Sequence, residues 1–435
     1  MARGRVNSAR HAVADTAPVA VTYADDGTRR TQILQTAASL IASTGLRTSL
    51  QEIADACGIL PGSLYHHFES KEAILAELLQ RYHAGLDRVA AQSQEALRRN
   101  DFRSPLDPVT ELATAIARCA VAHRAALQMS FYEGPSANPA LVELTRRRPA
   151  ATLEAMAQAL LAARAAGALA AGADVTLLAD RITQTMLYVG LDIIRHNAPP
   201  DQVAQVFCRI LLRGLTTGPH PDAELDRSRA FLAADAVIGT WPGDGDEDPR
   251  TAHIRAVARA EFGRRGYEST TVRDIAAAAG LGTGSVYRLI GSKEQLLSSI
   301  MRSFGEKVAL GWTEVLRSDA SAVEKLDALS WINTNMLVRF GDEFRIQLAW
   351  MRQSPPDTPN PGWHFTKRIR QMKALLAQGI RSGEIAIEHP SQEMLARCVI
   401  SGAWIPENIL RDIGPRASLI QLRDTTLRGV VTDRS

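Results

Sequence analysis

The stretch GSLYHHFESKEAIL begins at Gly62, and GSVYRLIGSKEQLL begins at Gly284, 222 positions later. The tyrosine and the Ser-Lys-Glu run are kept while the residues between them change. Self-similarity at a fixed spacing marks a chain built from copies of one supersecondary unit, and it constrains the fold more than any other feature here. At 435 residues the chain also exceeds the usual size of one domain, so two to four domains are expected.

The repeat reaches beyond the quoted stretches, from about Thr28 to Tyr82 and from about Pro249 to Phe304. Unit one opens with Ile33, Ala37, Leu40 and Ile41 on one helical face, and unit two with Ile254, Val257, Ala258 and Phe262. Each helix should stop at a glycine, Gly45 or Gly266, where the chain turns with positive φ. The second helix starts at Ser49 with Glu52 three residues on, a capping-box spacing, or at Thr271 with Asp274, a weaker variant. These short helices end at Gly58 and Gly280, and a third follows within a few residues, so each unit reads as a helix-turn-helix. In the third helix Leu64 and Phe68, or Val286 and Ile290, fall at i and i+4 and face inward. Ser63, Tyr65 and His66, or Ser285, Tyr287 and Arg288, are left outside. A fourth helix is capped by Ser70 or Ser292. Its first residue, Lys71 or Lys293, sits beside free backbone N–H groups that would hold a phosphate.

Both units lead into Ala- and Leu-rich helical stretches that echo each other. ALLAARAAGAL at Ala159 matches ALLAQGIRSGEI at Ala374, and LLRGL at Leu211 matches TLRGV at Thr426. The expected organisation is a disordered arm over 1–27, a first head over 28–82 and a first helical body over 83–216. A Gly, Pro and Asp-rich linker over 217–248, with a short helix around Ala230 to Ile238, precedes a second head over 249–304 and a second body over 305–435. Apolar residues make up 46% of the chain but are dispersed, and no run approaches the ~20 needed to cross a bilayer. Cys57, Cys119, Cys208 and Cys398 lie far apart, without metal-ligand spacing, and suit the reducing cytoplasm. No G-x-S-x-G, H-E-x-x-H, P-loop or strand-borne G-x-G-x-x-G is present, so nothing points to catalysis, a cofactor or a metal.

The pattern of a glycine, Thr or Ser, a short I-A helix, a tight turn, G-S-[LV]-Y and S-K-E resembles the TetR family of bacterial transcriptional regulators. The likeness covers roughly 55 residues of each half. It implies an all-α fold of two tandem units, each a helix-turn-helix head followed by a helical ligand-binding and dimerisation domain. It also implies double-stranded DNA as partner, regulation of transcription (usually repression), and a small-molecule effector. Carried onto this sequence, Ser49 and Thr271 would meet backbone phosphate, with Gln51 or Arg273 beside them. Pro61, Gly62, Ser63, Tyr65, His66 and His67 would form the first groove-facing surface, and Thr283, Gly284, Ser285, Tyr287 and Arg288 the second. Lys71 and Lys293 would clamp phosphate.

Departures from the pattern distinguish the heads. The second has Arg288, Leu289 and Ile290 where the first has His66, His67 and Phe68. The first head balances its charges, whereas the second carries nine basic residues against four acidic between Arg250 and Phe304. Net charge over the chain is only +3, so any nucleic-acid surface is local. A hydrophobic effector could be lined by Met129, Phe131 and Tyr132 in the first body, or by Trp331, Asn335, Trp350 and Met351 in the second. Three assemblies fit the sequence. In the first, the two halves form an intrachain pseudo-dimer through residues 173–214 and 390–429 on an asymmetric operator. In the second, the fused chain is a homodimer in which only the first heads read DNA. In the third, the protein binds ligands or partners with relic heads.

Overall fold

The computed structural model describes residues 28–44, 48–130, 138–241, 248–267, 270–353 and 365–432, with backbone alone for 349–353. The arm expected over 1–27 lies outside these residues. Head one consists of α1 (Arg29–Thr44), α2 (Leu50–Ala56), α3 (Pro61–Tyr65) and the start of α4 (Lys71–Arg99). Its body adds α5 (Asp107–Ala122), α6 (Arg124–Met129), α7 (Pro139–Arg146), α8 (Ala150–Ala165), α9 (Val175–His196) and α10 (Pro200–Arg213). The connecting segment forms α11 (Asp222–Leu225) and α12 (Arg229–Gly239). Head two repeats the order with α13 (Pro249–Arg265), α14 (Val272–Ala278), α15 (Thr283–Ile290) and α16 (Lys293–Arg317). The second body contains α17 (Ala322–Arg339), α18 (Gly341–Gln353), α19 (Phe365–Arg381), α20 (Gln392–Gly402) and α21 (Glu407–Leu422), closed by a π-helical turn at Arg423–Leu427. No strand occurs among the described residues, only isolated bridges between Leu169 and Val431 and between Thr216 and Ile385.

The inward-facing positions of the heads pack as their spacing requires. Ile33, Ala37, Ile41, Ile53, Leu64 and Phe68 are buried in head one, and Ile254, Ala258, Phe262, Ile275 and Val286 in head two. The boundaries expected at residues 82 and 304 fall inside helices, since α4 runs for 29 residues and α16 for 25. Each head is thus joined to its body by a shared helix rather than by a flexible tether.

The segment read as a linker is not a solvated spacer. Ala230, Phe231, Ala234, Val237 and Ile238 recur at helical spacing, and this stripe buries against α16 and α17. Ion pairs hold the segment from the other side. Asp226 receives Arg416 and Arg423, and Asp222 receives Arg428. Arg423, fully buried, also donates from Nε and Nη2 to both carboxylate oxygens of Asp327 at 2.8 Å each. The hydrogen bond from Arg416, with that from Arg423, holds the Asp226 carboxyl below its ordinary range.

Where the halves meet, α10 lies against α20 and the π-helical turn, and α9 against α20. The matched LLRGL and TLRGV segments exchange equivalent hydrogen bonds. Leu215 N donates to Leu427 O at 2.9 Å and Val430 N to Leu212 O at 2.7 Å; Thr216 N donates to Leu427 O at 3.0 Å and Val431 N to Leu212 O at 3.1 Å. A second pair repeats the exchange at the bridges, with Ala386 N donating to Leu215 O at 3.0 Å and Ala170 N to Val430 O at 2.8 Å. The side chains follow, Thr217 Oγ1 donating to Gly383 O at 2.8 Å and Thr432 Oγ1 to Gly167 O at 2.7 Å. Only glycine fits the crossing. A Cβ on Gly214 would lie 2.4 Å from Leu427 O, and one on Gly429 would lie 2.2 Å from Arg213 C, and both residues have positive φ. Contacts that map onto themselves when the two halves are exchanged are the pattern of a two-fold interface. Arg181 crosses the same junction fully buried, donating to Gly402 O at 2.8 Å and to Thr426 Oγ1 at 2.7 Å. Burial without a carboxylate pulls its pKa down to about 9.

Candidate nucleic-acid interface

The second helix of each head is fixed by a closed capping box. Ser49 Oγ accepts from Glu52 N at 3.2 Å while Ser49 N donates to Glu52 Oε2 at 2.6 Å. Thr271 and Asp274 make the same reciprocal pair at 3.2 Å and 2.8 Å, so the shorter carboxylate closes the box as fully as the longer one. Hydrogen bonds from the Ser49 backbone and side chain hold the Glu52 carboxyl below its ordinary range, and those from the Thr271 side chain and backbone do the same for Asp274. Ser49, Gln51, Thr271 and Arg273 are all exposed, with Gln51 Nε2 donating to Asp55 at 2.8 Å.

The third helix presents an open polar face in both heads. Tyr65 is 55% exposed and Tyr287 51%, large values for aromatic residues on an otherwise packed unit. Gly62, Ser63, His66, Thr283, Gly284 and Arg288 are exposed beside them, and Pro61, His67 and Ser285 are half-buried. No heavy atom would lie within 4 Å of a Cβ on Gly62 or Gly284, which leaves the helix start open to a close-approaching backbone. The expected groove-facing residues are therefore brought together on one surface of each head.

Beneath that face the heads differ. In head one α3 ends at Tyr65 and the chain turns through His66 so that Phe68 enters the core. Arg30 of α1 fixes the turn by donating to His67 O, pairing with Glu77 and stacking 4.0 Å from the Phe68 ring centroid. In head two Thr251 occupies the place of Arg30 and Ile290 that of Phe68. Here α15 continues to Ile290 and is stopped by Gly291 at φ 73°. Ile290 is only half-buried and Leu289 is 37% exposed, so the expected core substitution is partial.

The lysines depart most from expectation. Lys293 Nζ donates to Tyr267 O and Thr270 O at 3.0 Å each and sits 4.2 Å above the Tyr267 ring. Two of its three N–H groups thus tie α16 to the α13–α14 turn rather than standing free for phosphate. Lys71 is partly buried at the matching place, and burial holds its ammonium below the ordinary range. Sequence reasoning missed Arg30, which no repeat marks because its counterpart is a threonine.

The proposed effector residues are dispersed. Met129 is buried in α6, while Phe131 and Tyr132 lie outside the described residues, as do the side chains of Trp350 and Met351. Trp331 stacks on Phe231 at 5.7 Å and donates to Asp235 at 3.2 Å, and Asn335 donates to Trp331 O at 3.0 Å, so both serve the packing around α17. A cavity of about 150 Å³ lies elsewhere, between α9 and the α18, α20 and α21 region, with Tyr188, Phe344 and Trp404 on its wall.

The class defined by this geometry is a double helix-turn-helix protein. The family profile described as "Bacterial regulatory proteins, tetR family" matches residues 33–78 and 254–300. Among curated proteins, the HTH-type transcriptional repressor KstR2 of Mycolicibacterium smegmatis is 40% identical over 113 residues, 26% of this chain and 52% of that protein. KstR2 of Rhodococcus jostii is 56% identical over 55 residues, covering 12% and 27%. The HTH-type transcriptional regulator UidR of Escherichia coli is 28% identical over 139 residues, covering 32% and 67%. The match thus spans about half the length, or less, of the KstR2 relatives. Of solved structures, the ketosteroid transcriptional regulator KstR2 of Mycobacterium tuberculosis aligns with 42% of this chain and 92% of its own at 28% identity and a TM-score of 0.34. The chain thus carries two tandem copies of the DNA-binding unit that this family profile describes. No described helix is long and apolar enough to cross a membrane.

Proposed function

We propose that the chain is a ligand-responsive transcriptional repressor of the cytoplasm whose fused halves act as an intrachain pseudo-dimer on one asymmetric double-stranded operator. Each half supplies one head and one helical body, joined by the helix they share. The exchange of equivalent hydrogen bonds between the LLRGL and TLRGV segments supports this reading, since reciprocal contacts of this kind are what a two-fold arrangement of the halves would make. Exposed third helices would enter successive major grooves roughly 34–36 Å apart. Phosphate contacts at the second helix fix position, while Ser63, Tyr65 and His66, or Ser285, Tyr287 and Arg288, meet base edges. Unlike recognition surfaces favour unlike half-sites.

Ligand control needs a path from body to head. In the second half Arg259 of α13 pairs with the buried Glu343 of α18 at 2.9 Å, so a shift of α18 moves the head directly. An effector that prefers one head spacing lowers DNA affinity by its differential affinity for the two arrangements. Gel shifts with DNA selected from genomic fragments test the reading. Tyr65→Ala and Tyr287→Ala should each weaken binding and relax sequence choice in opposite halves of the site. Loss confined to Tyr65→Ala would favour a homodimer using first heads alone, and no selected sequence at all would leave the heads as relics.

A further inference from the structure

The cavity between the halves is walled on one side by Val189 of α9 and on the other by Phe344 of α18 and Trp404 beyond α20, whose rings stack at 4.4 Å and 17°. It lies at the junction and is complete only with both halves in place. Gln347 also lines it. That side chain is 2% exposed, and its amide oxygen has no hydrogen-bond partner. Buried acceptors are nearly always satisfied, so an unpartnered one facing a cavity is a place for a bound donor.

The lining charges are already matched. Arg345 bonds Asp342 at 3.0 Å and Glu407 at 2.5 Å, and Asp192 faces Arg397 at 3.4 Å. A charged ligand would bury a charge without compensation, which excludes acids and amines in favour of neutral molecules. Size narrows the choice further, because a space of about 150 Å³ matches a single benzene-sized ring. A hydroxyl both donates and accepts, so it satisfies the Gln347 amide in either orientation of its oxygen and nitrogen.

We propose that this cavity is one shared site per chain for a neutral, single-ring alcohol or phenol whose hydroxyl bonds Gln347. Its role as an effector site rests on the ligand-responsive reading above; the site itself does not. Titration of the full chain with phenol, followed by calorimetry and ligand-observed NMR, should give one equivalent bound. Benzene should bind about tenfold more weakly, the loss expected of one neutral hydrogen bond, and benzoate should not bind. Gln347→Leu should bring phenol down to the level of benzene while leaving benzene unchanged. Val189→Trp, which fills the space from α9, should abolish both. Failure of phenol and benzene alike to bind the folded chain, two equivalents per chain, benzoate binding as well as phenol, or full binding by Val189→Trp would overturn the proposal. Phenol bound one to one with DNA affinity unmoved would leave the site standing and remove its effector role.

Discussion

The two heads carry the same helices in the same order and expose the same tyrosine, yet different side chains hold them together. Head one is locked from α1, where Arg30 grips the His67 carbonyl, Glu77 and the Phe68 ring. Head two is locked from α16, where Lys293 takes the Tyr267 and Thr270 carbonyls, and its third helix runs almost a turn further before Gly291 stops it. What the copies share is the surface offered outward; what differs is the packing beneath the third helix, Arg30 and Phe68 in one head and Thr251 and Ile290 in the other. Head two also carries Arg273 and Arg288 on its outer face, where head one has Gln51 and His66.

The largest expected effect separates the cores. Phe68→Ala should cost about 3–5 kcal/mol, as removal of a fully buried aromatic does, and hydrogen exchange should report it as lost protection of α1 to α3. Ile290→Ala, at a half-exposed position, should cost about 1 kcal/mol in head two. Equal losses would mean that the heads are packed alike.

Next comes acidity. Burial lowers the pKa of His123, beside α4 and α5, to about 4, and that of His196, at the end of α9, to about 4. The unfolded chain takes up these protons near pH 6.5, while the folded one holds them off until about pH 4. Their stabilisation is full above pH 6.5 and disappears as pH falls toward 4, on the order of 3 kcal/mol for each histidine. Protection in α4 to α9 should therefore decline across that window, and His123→Gln should flatten the decline. A flat profile in the parent chain would show that neither histidine is held neutral.

Smaller effects probe the turns. Gly291→Glu, which copies Glu69 of head one onto a residue at φ 73°, should destabilise head two by about 1–2 kcal/mol. The reverse change, Glu69→Gly at an exposed position, should cost under about 0.5 kcal/mol. Smallest in energy but sharpest in character is the salt dependence. Arg273→Gln with Arg288→His gives head two the residues of head one, and should reduce the slope of log affinity against log salt by about 1, the share of Arg273 at phosphate, since Arg288 meets base edges. An unchanged slope would mean that they contact bases or nothing.

Much of this was legible in the sequence. The helix order, both capping boxes, the buried pair of Leu64 and Phe68 and the exposed tyrosines follow from periodicity and end signals, which act over one or two turns. The glycine pair at 214 and 429 was visible as a repeated motif, but its meaning was not, because the reciprocal bonds join segments more than two hundred residues apart. The connecting segment reads from its glycines and prolines as a linker holding a short helix around Ala230 to Ile238, and α12 forms there. Its apolar stripe from Ala230 to Ile238 was the better guide, and only the packed second body shows what it covers. Trp331 and Asn335 have the composition of a pocket, yet they are used up by α12 and by the helix that bears them. Gln347 stood out by nothing in the sequence, since an unmade hydrogen bond is a property of the packed site alone.

The most direct test is the mass of the protein–DNA complex, measured by light scattering or native mass spectrometry on a duplex just long enough for the selected site. One chain per duplex, protecting two unlike half-sites about one helical turn apart, is the predicted result. Two chains per duplex on a symmetric site, with the second heads unprotected and free, would contradict the account.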